Sequence, residues 1–146
     1  MRTAPRTPKR PLVLVLLAVY LILAAVIAFW PTPVDADAAP LLTRLITKLH
    51  DHGMPTWLGY DHLEFTANVL FFIPLGALLT LLLARRRWWL AALIGLGASI
   101  CIELVQQELL AARFSSLTDV AANSLGALIG ALLTVWVTGR RKNRRR

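Results

Sequence analysis

Four long apolar stretches dominate the pattern along the chain, and short polar segments separate them. They cover residues 12–30, 66–84, 88–110 and 119–138. A helix of about 20 residues crosses the hydrocarbon core of a bilayer, which is about 30 Å thick. Each stretch is long enough for one crossing. The pattern therefore predicts an all-α integral membrane protein built as a four-helix bundle.

The loop between the first two stretches contains a shorter pattern of another kind. Leucine and isoleucine recur at helical spacing between Pro40 and Gly53, while Arg44 and Lys48 belong to the opposite, polar face. Proline suits the first turn of a helix, and glycine suits its end. We expect a short amphipathic helix at the membrane interface. A helix packed over the mouth of the bundle would have the same pattern.

A basic start followed by an apolar run is also typical of a secretory signal peptide. The apolar core here runs over 18 residues, from Leu12 to Phe29, whereas a signal peptide has an apolar region of about 7–15 residues. We therefore expect an uncleaved first span. The predicted organisation is a basic N-terminus (1–11), a transmembrane domain (12–138) and a basic tail (139–146).

Composition agrees with a membrane protein, and the charges predict its orientation. Hydrophobic residues make up 57% of the chain and charged residues 16%, with a mean hydropathy of +0.61. So few polar side chains cannot coat a water-soluble globule. Thirteen of the sixteen basic residues lie before the first stretch, between the second and third, or after the fourth. By the positive-inside tendency, both termini are expected in the cytoplasm and the amphipathic helix outside.

A net charge of +8 also suggests nucleic-acid binding at first sight. The basic residues, however, flank apolar stretches directly, and such clusters act as topology signals that can attract anionic lipid headgroups. We expect membrane lipids as partners and no nucleic acid. The single cysteine, Cys101, excludes an intramolecular disulfide.

Polar residues interrupt three of the apolar stretches near their outer ends. At 1.5 Å of rise per residue, Glu103 lies roughly 10 Å below the outer end of the third span. Counted from about Glu64 for the second span and from Asp119 for the fourth, Asn68 and Asn123 each lie roughly 6 Å down. Three helices therefore present polar groups at one level of the membrane.

Spacing within each helix indicates that these groups face the interior of the bundle. Residues three, four or seven apart share one helical face. The pairs with this spacing are Asp61 with Asn68, Glu103 with Gln106, and Asp119 with Asn123. Small residues continue the same faces, and small residues let membrane helices approach closely. The small residues of the third and fourth spans, whose glycines are assigned to helix packing, are Gly95, Gly97, Ala98, Ser99, Gly126 and Gly130.

Arg113 is the natural partner for the carboxylate of Glu103 or Asp119. An ionisable side chain at this depth costs on the order of 3 kcal/mol on insertion scales, and such residues usually serve function. We expect the polar layer to line an outward-facing pocket. The alternative is a set of hydrogen bonds that only fixes helix packing. The candidate ligand-binding residues are Asp61, Asn68, Glu103, Gln106, Arg113, Asp119 and Asn123.

The same residues give the chain its resemblance to a known family. The pattern runs from Asp61 through Asn68-x-x-x-Phe72-x-Pro74-x-Gly76 and Glu103-x-x-Gln106 to Arg113-Phe114, Asp119, Asn123, Gly126 and Gly130. In this order and spacing it resembles the VanZ-like family of small bacterial membrane proteins, over about residues 60–138. The resemblance implies a bacterial cell membrane and a link to the cell envelope. The best-known member is associated with teicoplanin resistance, but no settled chemical activity defines the family.

Three classes of function follow as hypotheses. The first is a binding module for a lipid-linked cell-wall precursor or a glycopeptide. The second is an enzyme of the outer leaflet in which Glu103 or Asp119 acts as general base, because burial can tune a carboxyl toward neutral pH. The third is an accessory subunit of another membrane protein, or a homo-oligomer. A metal site at His62, Asp61 and Glu64 has only weak support, since no metal-binding motif is present. We expect no metal and no cofactor.

Overall fold

Five α-helices make up the fold of the described chain. The computed structural model describes residues 10–30, 38–109 and 116–143, and no strand occurs among them. The helices are α1 (Arg10–Ala28), α2 (Ala39–Asp51), α3 (Tyr60–Leu83), α4 (Trp88–Leu109) and α5 (Leu117–Asn143). One turn of 3-10 helix, Arg85–Arg87, joins α3 to α4.

Helices α1, α3, α4 and α5 are long and apolar enough to cross a membrane, which confirms the predicted four-helix membrane bundle. Their boundaries differ from the predicted spans mainly at the polar ends. Helix α3 begins at Tyr60, six residues before the predicted span. An apolar stretch in the sequence marks the part of a helix that crosses the hydrocarbon core of the bilayer. It does not mark the polar turns by which the helix continues beyond that core.

Helix α5 lies at the centre of the packing. It contacts both α3 and α4, and its contact with α3 is the most extensive in the fold. The buried side chains at this contact are Phe72 and Leu75 of α3 and Ala127 of α5. Small side chains keep the helices close, because lipid tails supply no hydrophobic drive between apolar helices.

Glycines make these close approaches possible. A methyl group on Gly126 or Gly130 would collide with a backbone carbonyl of α3, and one on Gly76 would collide with the backbone of Ala127. Gly95 lies against the side chain of Ala127 in the same way. These glycine faces are therefore used for packing within the chain. Gly97 does not take the packing role predicted for it, because a methyl group added there would point into open space.

Helix α1 packs on the edge of the bundle, against α3. The Tyr20 hydroxyl donates a hydrogen bond to the carbonyl of Phe71 at 3.0 Å, and the two rings lie 5.7 Å apart. Most of its large apolar side chains are exposed, for example Ile22 at 64%. Such an exterior suits contact with acyl chains.

Helix α2 forms where the amphipathic pattern predicts it, at Ala39–Asp51. Leu42 and Ile46 are half-buried, whereas Leu41 and Leu45 are exposed. The turn into α3 is closed by a 2.9 Å hydrogen bond between the His50 imidazole Nε2 and the carbonyl of Leu58. The apolar face of α2 is therefore divided between the bundle and the outside.

Candidate functional site

The two ends of the bundle differ in chemistry. At one end, α1 and α4 finish while α3 and α5 begin, and we call this the polar end. At the opposite end lie Arg10, Arg85–Arg87 and Arg140, and we call this the arginine end. All the candidate residues that the structure describes belong to the polar end.

The first interhelical hydrogen bond of the polar end joins α3 to α5. The Asn68 Nδ2 group donates to Oδ1 of Asp119 at 2.8 Å. Both side chains are half-buried. A hydrogen bond to an ionised acceptor is stronger than one between neutral groups. This bond therefore fixes the start of α5 beside the third turn of α3.

Glu103 joins α4 to the beginning of α5. Its Oε2 accepts a hydrogen bond from the backbone N–H of Ser116 at 2.9 Å, although the residue is only 5% exposed. The Ser116 hydroxyl in turn accepts from the backbone N–H of Thr118 at 3.1 Å. Backbone N–H groups at a helix start lack partners within the helix, and negative charge is favourable there. Glu103 thus stabilises the N-terminus of α5 across the segment 110–115.

Asn123 joins α5 to α4 at a deeper level. Its Nδ2 donates to the Ser99 hydroxyl at 3.1 Å, and both residues are buried. The other end of the amide, Oδ1, is buried and has no hydrogen-bond partner among the described residues. Exchanging the two ends of the amide would leave the NH₂ group without a partner instead. Either way, one polar group of Asn123 is unsatisfied in the protein interior, where such groups are rare.

Gln106 joins α4 to the end of α1. Its Nε2 donates to the carbonyl of Ala28 at 2.8 Å, and Gln106 is 7% exposed. Ala28 is the last residue of α1, and the final carbonyls of a helix have no partner within it. The amide of Gln106 therefore satisfies a helix end.

Two candidate residues take no part in these bonds. Asp61 lies in the first turn of α3 and is exposed, and within the described ranges no hydrogen bond links it to the other candidates. Arg113 falls in the segment 110–115, outside the described residues. Its expected pairing with Glu103 or Asp119 stays a prediction.

Glu103, Gln106 and Asn123 are buried at the polar end, and the expected outward-facing pocket stays a prediction. Two shallow depressions on the described surface lie elsewhere, one beside Ile129, Leu132, Leu133 and Trp136 and the other on α2. The described residues contain no group of three or more metal-ligating side chains. Chemically, the site offers amide donors and acceptors together with two carboxylates that already accept hydrogen bonds.

A comparison with protein families decides what kind of protein this is. The VanZ/LLP1 family model matches residues 17–138. The chain belongs to the VanZ/LLP1 family. The match includes every candidate residue and all four membrane-capable helices in whole or in large part. No curated protein and no solved structure matches the chain.

Ser116 is a residue of the VanZ/LLP1 site that sequence reasoning missed. A signal for it exists, because Ser116-x-x-Asp119 has the spacing of a helix N-terminal capping pattern. The bond from Gln106 to Ala28 had no such signal. Its acceptor is a backbone carbonyl 78 residues away, and any residue type can supply that carbonyl.

Proposed function

We propose that this VanZ/LLP1-family membrane protein binds the polar headgroup of a lipid-linked cell-envelope precursor at its polar end. Of the described arginines, Arg10, Arg85–Arg87 and Arg140 lie at the opposite end of the bundle, and Arg44 lies on α2. By the positive-inside tendency, the arginine end lies in the cytoplasm and the polar end faces the outer surface of the bacterial cell membrane. Headgroups of the outer leaflet lie at this level.

The unsatisfied amide of Asn123 is the observation that carries the proposal. A buried polar group without a partner costs about 1–3 kcal/mol. A ligand hydroxyl or amide that reaches Oδ1 would remove this cost. Ser116 marks the start of α5, so Asn123 lies about 10 Å along the helix from the polar end. That depth suits the sugar or peptide part of a headgroup inserted between α4 and α5.

Arg113 supplies the charge that such a headgroup requires. The sequence places it between Leu109, the end of α4, and Ser116, at the start of α5. A guanidinium can bind two oxygens of a phosphate or carboxylate at once. In the proposed complex, Arg113 binds the phosphate and Asn123 binds the group beyond it. Asn68, Glu103, Gln106 and Asp119 hold the helix ends that frame the site.

A binding measurement tests the proposal. The purified protein is titrated with a polyprenyl diphosphate carrying the sugar-peptide headgroup, and Kd is measured together with the thermal unfolding midpoint. We expect Asn123→Ala and Arg113→Gln each to weaken binding about tenfold, the equivalent of one lost hydrogen bond to a charged group. Glu108→Gln is the control, because Glu108 is exposed on α4 near the same end.

Unchanged Kd in both variants would contradict the proposal, even if the unfolding midpoint fell. A lower midpoint with normal binding would assign the polar layer to helix packing. Arg113→Lys retains the charge but loses the two-pronged geometry, so we expect an intermediate Kd.

We further propose that this binding contributes to glycopeptide tolerance, by analogy with the best-known member of the family. A protein that binds a precursor headgroup changes its availability to a glycopeptide antibiotic. We expect cells that lack the protein to become more sensitive to teicoplanin, and the Asn123→Ala variant to fail to restore tolerance. Equal sensitivity with and without the protein would separate the binding function from resistance.

Two alternative functions make different predictions. If Glu103 or Asp119 were a general base, Glu103→Gln would abolish product formation while binding persisted. If the chain were an accessory subunit, crosslinking in native membranes would yield one dominant adduct. Gly76, Gly95, Gly126 and Gly130 already pack within the chain. An accessory role would therefore have to use other faces.

A further inference from the structure

An apolar groove on α5 lies near the arginine end, away from the candidate site. Ile129, Leu132, Leu133 and Trp136 line it, with a volume of about 380 Å³. Their spacing of three, four and seven residues places them on one face of the helix. Leu132, Leu133 and Trp136 are 44%, 48% and 53% exposed, so this face points away from the bundle.

A guanidinium group is held at the end of this groove. Arg140 belongs to the same face of α5, one turn beyond Trp136, and its Cζ lies 3.9 Å from the centroid of the Trp136 ring. An arginine over an aromatic face is attracted by the ring quadrupole. The cation therefore has a defined position next to the last apolar side chain of the groove.

A second arginine, from another element, lies against Gly139, the residue before Arg140. Arg85 lies in the turn between α3 and α4, and its Nη1 would be 2.9 Å from a methyl group added to Gly139. The missing side chain of Gly139 thus lets Arg85 approach the end of α5. Contact between this turn and α5 thus brings Arg85 to the segment of α5 that contains Arg140.

We propose that this face of α5 binds one anionic phospholipid. The groove from Ile129 to Trp136 is about 10 Å long, and Arg140 lies about 6 Å farther along the axis. This arrangement matches an acyl chain followed by a phosphate. Arg140 and Arg85 complement the charge of the headgroup, and anionic lipids are attracted to basic residues next to membrane spans.

Charge also distinguishes the lipid from a second copy of this chain. Copies inserted in the same orientation that met symmetrically through this face would bring two Arg140 residues side by side. Like charges at such a contact are unfavourable. An anionic lipid neutralises the same arginines, so it is the better occupant.

Native mass spectrometry of the full-length protein released from detergent tests the site. The protein is titrated with phosphatidylglycerol and, separately, with phosphatidylcholine that has the same acyl chains. We expect the first phosphatidylglycerol to bind several-fold more tightly than phosphatidylcholine. Arg140→Gln should weaken phosphatidylglycerol binding about fivefold, because a basic residue near a lipid surface contributes about 1 kcal/mol.

Matched variants separate this site from general attraction to positive charge. Arg85→Gln should also weaken phosphatidylglycerol binding. Arg140→Lys should retain this binding within about twofold, because Arg140 and Arg85 attract the headgroup through their charge. Arg10→Gln is the control, because Arg10 is exposed at the same end but lies on α1. Arg140→Gln and Arg85→Gln should weaken the preference for phosphatidylglycerol, whereas Arg140→Lys and Arg10→Gln should keep it.

Three results would overturn the proposal. The first is equal affinity for the two lipids. The second is an equal loss in Arg10→Gln and Arg140→Gln, which would indicate unspecific attraction. The third is a stable dimer whose crosslinks map to Leu133, which would assign the groove to a second copy. If Arg140→Gln does not fold, Arg85→Gln and Arg140→Lys decide between these outcomes.

Discussion

Glu103 and Gln106 lie three residues apart on one face of α4, and each reaches the end of a different neighbouring helix. Glu103 accepts a hydrogen bond from the N–H of Ser116 at the start of α5, and Gln106 donates to the carbonyl of Ala28 at the end of α1. Helix ends contain backbone groups without partners, and burying them unsatisfied costs free energy. Two adjacent turns of α4 therefore anchor two other helices.

The neighbouring glutamines provide a matched test at the residue scale. Gln106→Ala removes the donor to Ala28 and should lower the free energy of unfolding by about 1–3 kcal/mol, the cost of an unsatisfied buried group. Gln107→Ala should change it by less than about 0.5 kcal/mol, because Gln107 is exposed. Thermal unfolding in detergent measures both variants. Equal effects would show that the bond to α1 contributes nothing specific.

Helix α5 is the element that organises the bundle. Gly126 and Gly130 face α3, while Ala127 faces both α3 and α4. Its first turns receive Asn68 and Glu103, and its last turns present the groove and Arg140. The proposed headgroup site and the proposed lipid site thus lie at opposite ends of one helix.

Glycine substitutions test this packing at the element scale. Gly76→Ala places a methyl group against the backbone of Ala127, and we expect a loss of about 1–3 kcal/mol, as in other overpacked interfaces. Gly97→Ala points into open space and should be neutral or stabilising by up to about 1 kcal/mol, because alanine favours helix. Thermal unfolding of the two variants side by side measures the difference. A Gly76→Ala variant as stable as the parent would contradict the close contact.

At the scale of the whole molecule, charge and polarity are separated along the bundle axis. The arginine end contains Arg10, Arg85–Arg87 and Arg140, whereas the buried Glu103, Gln106 and Asn123 belong to the polar end. Helix α2 belongs to the segment that connects α1 to α3 at the polar end. Its exposed leucines are suited to the membrane interface.

A topology experiment tests the orientation that this asymmetry implies. In a Cys101→Ser background, Thr47→Cys introduces a thiol on the exposed side of α2. We expect a membrane-impermeant thiol reagent to label it in intact cells, and a C-terminal fluorescent protein to fluoresce in the cytoplasm, since basic ends stay inside. Labelling of Thr47→Cys only after the cells are opened would reverse the assigned orientation.

Local periodicity, length matched to the bilayer and motif spacing were enough to predict the membrane helices, the amphipathic α2 and the family. Helical periodicity also assigns Glu103, Gln106 and Asn123 to faces that point into the bundle, and all three are buried.

The hydrogen-bond partners of these residues, in contrast, follow from how the helices pack. Glu103 binds the backbone of Ser116, Gln106 binds the backbone of Ala28, and Asn123 has one satisfied and one unsatisfied end. Backbone groups are identical in every residue, so no sequence pattern marks the one that a side chain will meet. The partner that each side chain meets depends on how closely α4 and α5 approach. Contacts between glycine and alanine residues across the bundle set this distance.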